Sequence, residues 1–425
     1  MSDVKVVEPI AAEAVVSEHG IGSRKLPTLA ILMALGWLGT NLGLNIGEFP
    51  LKFLLKDTLH CDAAKVSAFF AIGAVTNYVK PLAGVMVDGV PLFRTRRRWY
   101  LIGSLLLTGL LWLLMAFVPK TYNSLLLTYG ILYVTVVFTS TSLGGVMVEV
   151  GHRFNAAGRL TSQRIGCFRM ANLLSGPIAG GLTQHAPFIV SMGAASFLHL
   201  LLVPLYIFGL PEEPTARLDR SVLKEAVRQF KILLQSKVLL AAAGMIFLIA
   251  ASPGFNTPLL FHQTNDLHFT KEFIGYLTSI AAATGLLTTI GYFAACRKFN
   301  VRALIVFSII VHALGTVAYL FYHDKSSAIA ITAISGVTGT LTMLPVYDLA
   351  ARGTPKGSES IGYAVMMSVW NLTNALSDWT GSTLFARIHL AFSSLVWVNA
   401  GTTLLVLLVV PFLPVALMTR RDGPA

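Results

Sequence analysis

The chain contains little charge for its length. Only 12% of its 425 residues are Asp, Glu, Lys or Arg, whereas an ordinary soluble domain has about 25%. Hydrophobic residues make up 55%, and the mean hydropathy is +0.70. This composition excludes a typical soluble protein and predicts a chain that is solvated by a lipid bilayer.

Cysteine and the common catalytic motifs are also scarce or absent. The three cysteines, Cys61, Cys167 and Cys296, show no paired or metal-ligand spacing, so we expect no disulfide framework and no metal site. The sequence lacks His-Glu-x-x-His, Gly-x-Ser-x-Gly and a phosphate-binding Gly-x4-Gly-Lys-Ser/Thr motif. We therefore expect no enzyme activity, no cofactor and no ATP-driven step.

Long apolar runs are present instead. Seven charge-free windows reach the ~20 residues that cross ~30 Å of hydrocarbon, and five less apolar runs lie between or after them. The runs are Leu26–Gly47, Trp99–Pro119, Thr121–Val148, Val238–Asn265, Phe273–Cys296, Ala303–His323 and Ser326–Tyr347, with 64–88, 159–183, 187–209, 357–383 and 388–418. We expect an all-α membrane protein with twelve transmembrane helices.

The basic residues predict the orientation. With a cytoplasmic N-terminus, most of the 32 Lys and Arg residues fall in inner loops, as the positive-inside rule requires. Both termini are then cytoplasmic in a plasma or inner membrane, and the chain before Leu26 shows no signal-peptide pattern. The net charge of +12 is scattered over short loops, where topology and anionic lipid explain it without a nucleic acid.

An internal repeat divides the chain. Phe53…Leu59-His60 matches Phe261…Leu267-His268, and Glu149-x3-Arg153 matches Asp348-x3-Arg352. The repeat predicts two pseudo-symmetric six-helix bundles, the usual architecture of secondary transporters. The expected divisions are a tail at 1–26, bundles at 27–209 and 238–418, a linker with an amphipathic helix at 210–237, and a tail at 419–425. We expect a monomer.

Charged residues at one membrane face are candidates for a gate. Asp88 ends an apolar run and is followed by Arg96, Arg97 and Arg98, so its carboxylate can pair with arginine or with a helix N-terminus in one conformation. The i, i+4 pairs Glu149/Arg153 and Asp348/Arg352 lie at the same face. The alternative is that these residues only satisfy helix ends.

Two cations inside apolar runs indicate an anionic ligand. Lys80, followed by Pro81, lies about 12 Å from Asp88 along a helix, and Arg169 lies at a comparable depth in its own run. Charges at such depth usually face a cavity and mark a substrate path. The alternative is that protein carboxylates neutralise both.

Polar residues at helical spacing predict the remaining wall of a cavity. One stripe contains Asn41, Asn45 and Glu48, and the other contains Ser368, Asn371, Asn374, Asp378 and Ser382. The four asparagines are candidate substrate contacts. Asp378 and Glu48 are candidate proton carriers, because burial of a carboxylate favours its neutral form; interhelical hydrogen bonding is the rival role of Asp378. Ser252-Pro253-Gly254 predicts a helix break beside this site.

Six segments of the chain form a pattern that is similar to a known family. They are Phe53-Leu-Leu-Lys-Asp57, Lys80-Pro81-Leu-Ala-Gly84, Asp88, Pro91-Leu-Phe…Arg96-Arg97-Arg98-Trp-Tyr100, Thr264-Asn265-Asp266-Leu267 and Phe273-Ile-Gly275. Together they resemble the folate–biopterin transporters of the major facilitator superfamily. The resemblance implies twelve helices, proton-linked movement of a folate- or pterin-like anion, and functional roles for Lys80 and Asp88. The chain departs from the family pattern at Asp88-Gly-Val-Pro and around Glu149.

The expected function is therefore secondary active transport of a small organic anion by alternating access. The partners would be that anion, a coupling ion that we expect to be H+, and the lipid bilayer. Two alternatives stay open: a carrier or efflux protein for another amphipathic solute, and a non-transporting assembly or sensor protein with a carrier fold.

Overall fold

The computed structural model describes residues 25–210, 235–298, 301–353 and 359–412, together with 212, 224, 228 and 231. These ranges are helical, and the only β-type pairing in them is an isolated bridge between Leu92 and Thr95. The helices are α1 Leu26–Phe53, α2 Ala63–Gly73, α3 Lys80–Gly89, α4 Arg98–Phe117, α5 Tyr122–Arg153, α6 Ala157–His185, α7 Phe188–Gly209, α8 Lys237–Ala250, α9 Asn256–Phe261, α10 Lys271–Lys298, α11 Val301–Val317, α12 Lys325–Gly353, α13 Glu359–Arg387 and α14 Phe392–Leu405.

Seven helical segments of the described ranges are long and apolar enough to cross a membrane, and α2 with α3 adds an eighth if the bent pair is one crossing. The expected count of twelve stays a prediction. Two of the apolar runs, 64–88 and Val238–Asn265, are each divided into two helices in the structure. Helix α6, which contains Arg159, Arg164 and Arg169, is not among these seven segments.

The first interruption lies between α2 and α3. Residues Val75–Val79 form a 3-10 helix, and the axis bends by 44°. Pro81 lies in the first turn of α3, where the missing proline N–H costs little. The sequence predicts a local opening of the helix at Pro81, whereas the structure places the break one turn earlier. Lys80 is therefore the first residue of α3.

The second interruption lies between α8 and α9, where the sequence predicts it. The N–H of Gly254 donates to the carbonyl of Ser377 at 2.8 Å, and the hydroxyl of Ser377 donates to the carbonyl of Ser252. The side-chain amide of Asn399 donates to the carbonyl of Pro253 at 2.9 Å. Because hydrocarbon offers no hydrogen bonds, α13 and α14 supply the partners that the broken helix lacks.

The repeat is visible in the backbone. A π-helical turn, Leu54–Thr58, follows α1, and a second one, His262–Asp266, follows α9 at the register that the sequence alignment gives. Each turn is followed by a histidine with positive φ, His60 at 49° and His268 at 53°. A left-handed histidine is uncommon, so its recurrence at matching positions reflects a repeated local geometry.

We call α1–α7 the N-terminal helices and α8–α14 the C-terminal helices. They meet where α6 packs against α10 and where α13 packs against α2 and α3. The α6–α10 contact depends on glycine, because a methyl group on Gly176 would lie 2.3 Å from the carbonyl oxygen of Gly275. Small residues of this kind let helix backbones approach closely in membranes.

Most of the predicted linker, 210–237, and both predicted tails lie outside the described residues.

The close contact between α6 and α10 can be tested with two alanine variants of one helix. Gly176→Ala should lower the thermal unfolding midpoint, because the methyl group forces the two backbones apart at a cost of about 1–3 kcal/mol. Gly181→Ala is the matched control, since no atom lies within 4 Å of the added methyl group. Equal midpoints for the two variants in detergent would show that the close approach does not contribute to stability.

Candidate functional site

A cavity of about 550 Å³ lies between the N-terminal and the C-terminal helices. Its wall comes from α1, α2, α5 and α6 on one side and from α9, α10 and α13 on the other. Five predicted site residues line it: Asn45, Glu48, Asn371, Asn374 and Asp378. Asn41 does not line it; its amide donates to the carbonyl of Trp37, 2.6 Å away within α1.

Glu48 is held by two tyrosines of α5. The hydroxyls of Tyr129 and Tyr133 each donate to Oε1 of Glu48 at 2.7 Å. The two tyrosines are one helical turn apart, and their ring centroids are 4.8 Å apart. The carboxylate therefore has a fixed position in the cavity wall, at a point where α1 and α5 meet.

Asp378 connects α13 to the start of α9. Its Oδ1 accepts the N–H of Thr257 at 2.9 Å, and its Oδ2 accepts the hydroxyl of Thr257 at 2.6 Å. An acidic side chain at a helix N-terminus is favoured by the helix dipole. The interhelical hydrogen bonding that the sequence offers as an alternative is thus present, and the same carboxylate also lines the cavity. Its role as a proton carrier stays a prediction.

Amide side chains form much of the remaining polar wall. The amide of Asn45 donates to Oδ1 of Asn172 at 2.8 Å and to the hydroxyl of Ser175 at 3.1 Å, joining α1 to α6. The amide of Asn374 donates to the carbonyl of Trp370, which also lines the cavity. Other polar lining residues were not predicted from the sequence, and they include Lys52, Ser67, Asn77, Tyr129, Tyr133, Asn172, Ser175, Asn256, Thr257, Gln263 and Thr278.

Lys80 and Arg169 are not among the residues that line this cavity. Arg169 reaches the C-terminal helices, where its guanidinium donates to the hydroxyl of Thr340 at 3.1 Å. Lys80 is half-buried and within electrostatic range of Arg164, whose guanidinium lies 4.5 Å from the ring centre of Trp37. The contact of Lys80 and Arg169 with substrate stays a prediction.

The predicted gate residues at the other membrane face are held within the N-terminal half of the chain. The side chain of Arg97 forms an ion pair with Glu149. The backbone N–H groups of Arg96, Arg97 and Arg98 all donate to the carboxylate of Glu212, at 2.7–3.1 Å. Glu212 was missed because it lies in the predicted linker.

The structure gives fewer contacts for the other predicted gate residues. The guanidinium of Arg153 lies 5.6 Å from the ring centre of Phe154. The side chains of Asp88, Asp348 and Arg352 lie outside the described part of the structure. Their predicted roles in a latch therefore stay predictions.

A group of ion pairs joins the two sets of helices where α1 ends. Nζ of Lys271 lies 2.9 Å from Oδ2 of Asp57, and Nζ of Lys56 lies 3.1 Å from Oδ1 of the same carboxylate. Lys271 also covers the ring of Phe53, 5.0 Å away, and Phe53 lines the cavity. An ion pair therefore joins the two sets of helices beside the cavity wall, and the sequence did not predict it because Asp57 and Lys271 are more than 200 residues apart.

The tyrosines that hold Glu48 allow a matched test. Tyr129→Phe or Tyr133→Phe should destabilise the protein by about 1–3 kcal/mol, because each leaves a cavity-lining carboxylate short of a donor. Tyr122→Phe is the control on the same helix, since its hydroxyl donates at 3.2 Å to an exposed carbonyl. The measurement is the thermal unfolding midpoint, and a Tyr129→Phe midpoint equal to that of Tyr122→Phe would contradict the assignment.

The ion pair between Asp57 and Lys271 should control access to the cavity. Ser67 lines the cavity, so Ser67→Cys, made with the native cysteines replaced by alanine, reports access through its reaction with an impermeant maleimide. Lys271→Asp should speed this reaction several-fold, because two like charges then face each other.

The charge-exchanged double variant Asp57→Lys/Lys271→Asp should return the labelling rate toward that of the parent. A double variant that labels as fast as Lys271→Asp alone would rule out the pair as a closure.

Comparison with known proteins places these features in a family. The sequence profile of the BT1 family matches residues 42–422. A protein of Synechocystis named "Folate-biopterin transporter" is 28% identical over 388 residues, which cover 87% of this chain and 78% of the relative. "Folate transporter 1" of Plasmodium falciparum is 22% identical over 80% of this chain and 69% of its own length.

Solved structures agree on the fold. The crystal structure of a D-xylose–proton symporter superposes with a TM-score of 0.73 at 16% identity, covering 92% of this chain and 99% of that one. A POT family transporter in complex with 5-aminolevulinic acid gives a TM-score of 0.72 at 12% identity, covering 92% and 96%. Identities this low support the shared fold alone.

Proposed function

The chain belongs to the BT1 family and is a multi-pass membrane transporter rather than an enzyme, and on that premise we propose that it moves a folate- or pterin-like anion by proton-coupled alternating access. The observation that carries the proposal is the cavity between the N-terminal and C-terminal helices, with Glu48 on one side and Asp378 on the other. The names of the relatives from Synechocystis and Plasmodium falciparum indicate the class of substrate.

The proposed architecture has twelve crossings in two six-helix bundles. The described helices fall into twelve units when α2 is joined to α3 and α8 to α9 across their breaks. The proposed bundles are 27–209 and 238–418, joined by a cytosolic linker. Both termini are then cytoplasmic, and the protein acts as a monomer in the plasma or inner membrane.

The lining of the cavity suits a planar ring with polar edges. Trp370 offers a face on which a ring can stack, and the carboxylate of Asp378 can accept from the amino and ring N–H groups of a pterin. Asn371 and Asn374 add amide donors and acceptors on the same helix. Ligand sites commonly combine apolar walls with a few convergent polar groups in this way.

The two carboxylates supply a physical reason for proton coupling. An anion that enters a cavity already containing Glu48 and Asp378 is repelled unless one carboxylate takes up a proton. Binding of the anion and binding of the proton then favour each other by the same factor. Anion and proton would therefore move together, with the charge of the site balanced in each step.

Alternating access requires closures that open in turn. The ion pair of Asp57 with Lys271 joins the two sets of helices at one end of the cavity. At the other membrane face we propose that Asp88, Arg96, Arg97, Arg98, Glu149, Arg153, Asp348 and Arg352 form the second closure. Lys80 and Arg169 would attract the anion along the path toward that face.

Uptake into proteoliposomes tests substrate and coupling together. Labelled folate and pterin should accumulate saturably, an unrelated organic anion should not, and uptake should rise as the external pH falls, because protonation of a carboxylate accompanies binding. Asp378→Asn and Glu48→Gln should each flatten this pH response.

Asp324→Asn is the control. Hydrogen bonds from Ser327 hold the pKa of Asp324, which lies in the loop before α12, below its usual range, so this group stays ionised over the tested range. Uptake unchanged after collapse of the pH gradient would refute proton coupling, and no uptake of either compound would refute the substrate class.

A further inference from the structure

Lys52 is the one Lys or Arg side chain among the described residues that line the cavity. It lies in the last turn of α1, four residues after Glu48, and its side chain is half-buried. Every other charged group named in that lining is a carboxylate. An organic anion in the cavity therefore has a single cation to pair with, and the position of Lys52 decides which end of the anion binds there.

Glu48, the expected partner of Lys52 on α1, does not form an ion pair with it. Glu followed by Lys at i, i+4 is the favourable order for an ion pair on a helix. The described residues nevertheless contain no carboxylate oxygen within 4 Å of the Lys52 ammonium. Glu48 instead accepts hydrogen bonds from the hydroxyls of Tyr129 and Tyr133.

Lys52 makes a weak contact with one aromatic ring. Its Nζ lies 5.5 Å from the ring centre of Phe70, a residue of α2 that also lines the cavity. A cation over an aromatic ring orients the ammonium but does not use its N–H donors as a carboxylate would. The three donors of Lys52 are thus available to a ligand in the cavity.

From this geometry we propose that the ammonium of Lys52 binds the carboxylate of a substrate whose other end is a planar, hydrogen-bonding ring. The inference rests on the proposed function, because it concerns the same cavity, and it adds the group that recognises the acid. The ring then faces Asp378 and Trp370 on α13, across from α1. The substrate class is a carboxylic acid attached to a heteroaromatic ring, with opposite ends bound by opposite halves of the chain.

The test is equilibrium binding of three probes to the purified full-length protein. Folic acid carries both ends, pterin carries the ring alone and is neutral at pH 7, and p-aminobenzoylglutamate carries the acid end alone. Lys52→Gln should weaken binding of the two acids about tenfold or more and change pterin binding less than about twofold. Lys52→Arg keeps the charge and should retain most of the affinity.

Lys65→Gln is the matched control, because Lys65 is an exposed lysine of α2 outside the cavity lining. The thermal midpoint of each variant shows that it is folded. If Lys52→Gln binds both acids as tightly as Lys65→Gln does, Lys52 is not the anion-binding group, and the proposed transport function is unaffected.

Other outcomes separate the two proposals. If the wild type binds p-aminobenzoylglutamate through Lys52 but neither pterin nor folic acid, the folate assignment fails and the role of Lys52 is supported. If the wild type binds none of the three probes, both proposals are overturned. Equal losses of pterin and acid binding in Lys52→Gln would mean that Lys52 maintains the shape of the cavity instead of recognising the acid.

Discussion

The structure depends on the requirement that no backbone polar group stays unpaired in hydrocarbon. The break before α9 meets this requirement, because Ser377 and Asn399 of neighbouring helices pair with the backbone around Gly254. Asp378, one residue after Ser377, binds the first turn of α9. The group that stabilises the broken helix is thus also part of the cavity wall, so the fold and the site use the same hydrogen bonds.

Three charged side chains in the described part of the wall determine the electrostatic potential inside the cavity. The described lining contains Glu48 and Asp378 on opposite sides and Lys52 beside Glu48 in sequence. If Glu48 and Lys52 paired, the cavity would present one carboxylate and no cation. In the structure Glu48 does not pair with Lys52, and its Oε1 accepts from the hydroxyls of Tyr129 and Tyr133. In the proposed mechanism, the ammonium of Lys52 is then available to an anion while the carboxylate of Glu48 is available to a proton.

The sequence predicted the class of fold, the helix break before α9 and five residues of the cavity, because helical periodicity and proline or glycine positions are local signals. It missed Tyr129, Tyr133 and Lys52, since aromatic residues and a lysine near a helix end have commoner explanations. It also placed Lys80 and Arg169 with the cavity, although depth in a membrane does not define direction around a helix axis. Contacts such as Asp57 with Lys271 depend on the packing of distant segments, which a single sequence does not reveal.

The last turns of α1 connect the site to its closure. Glu48 and Lys52 face the cavity, Phe53 lies beneath Lys271, and Asp57 pairs with Lys271. These residues span fewer than three helical turns, so a ligand that draws Lys52 toward itself acts on the same short segment that holds the ion pair. The π-helical turn Leu54–Thr58 interrupts regular α-helical hydrogen bonding between them. In the proposed alternating-access cycle, one stretch of backbone would therefore link occupancy of the cavity to the state of its closure.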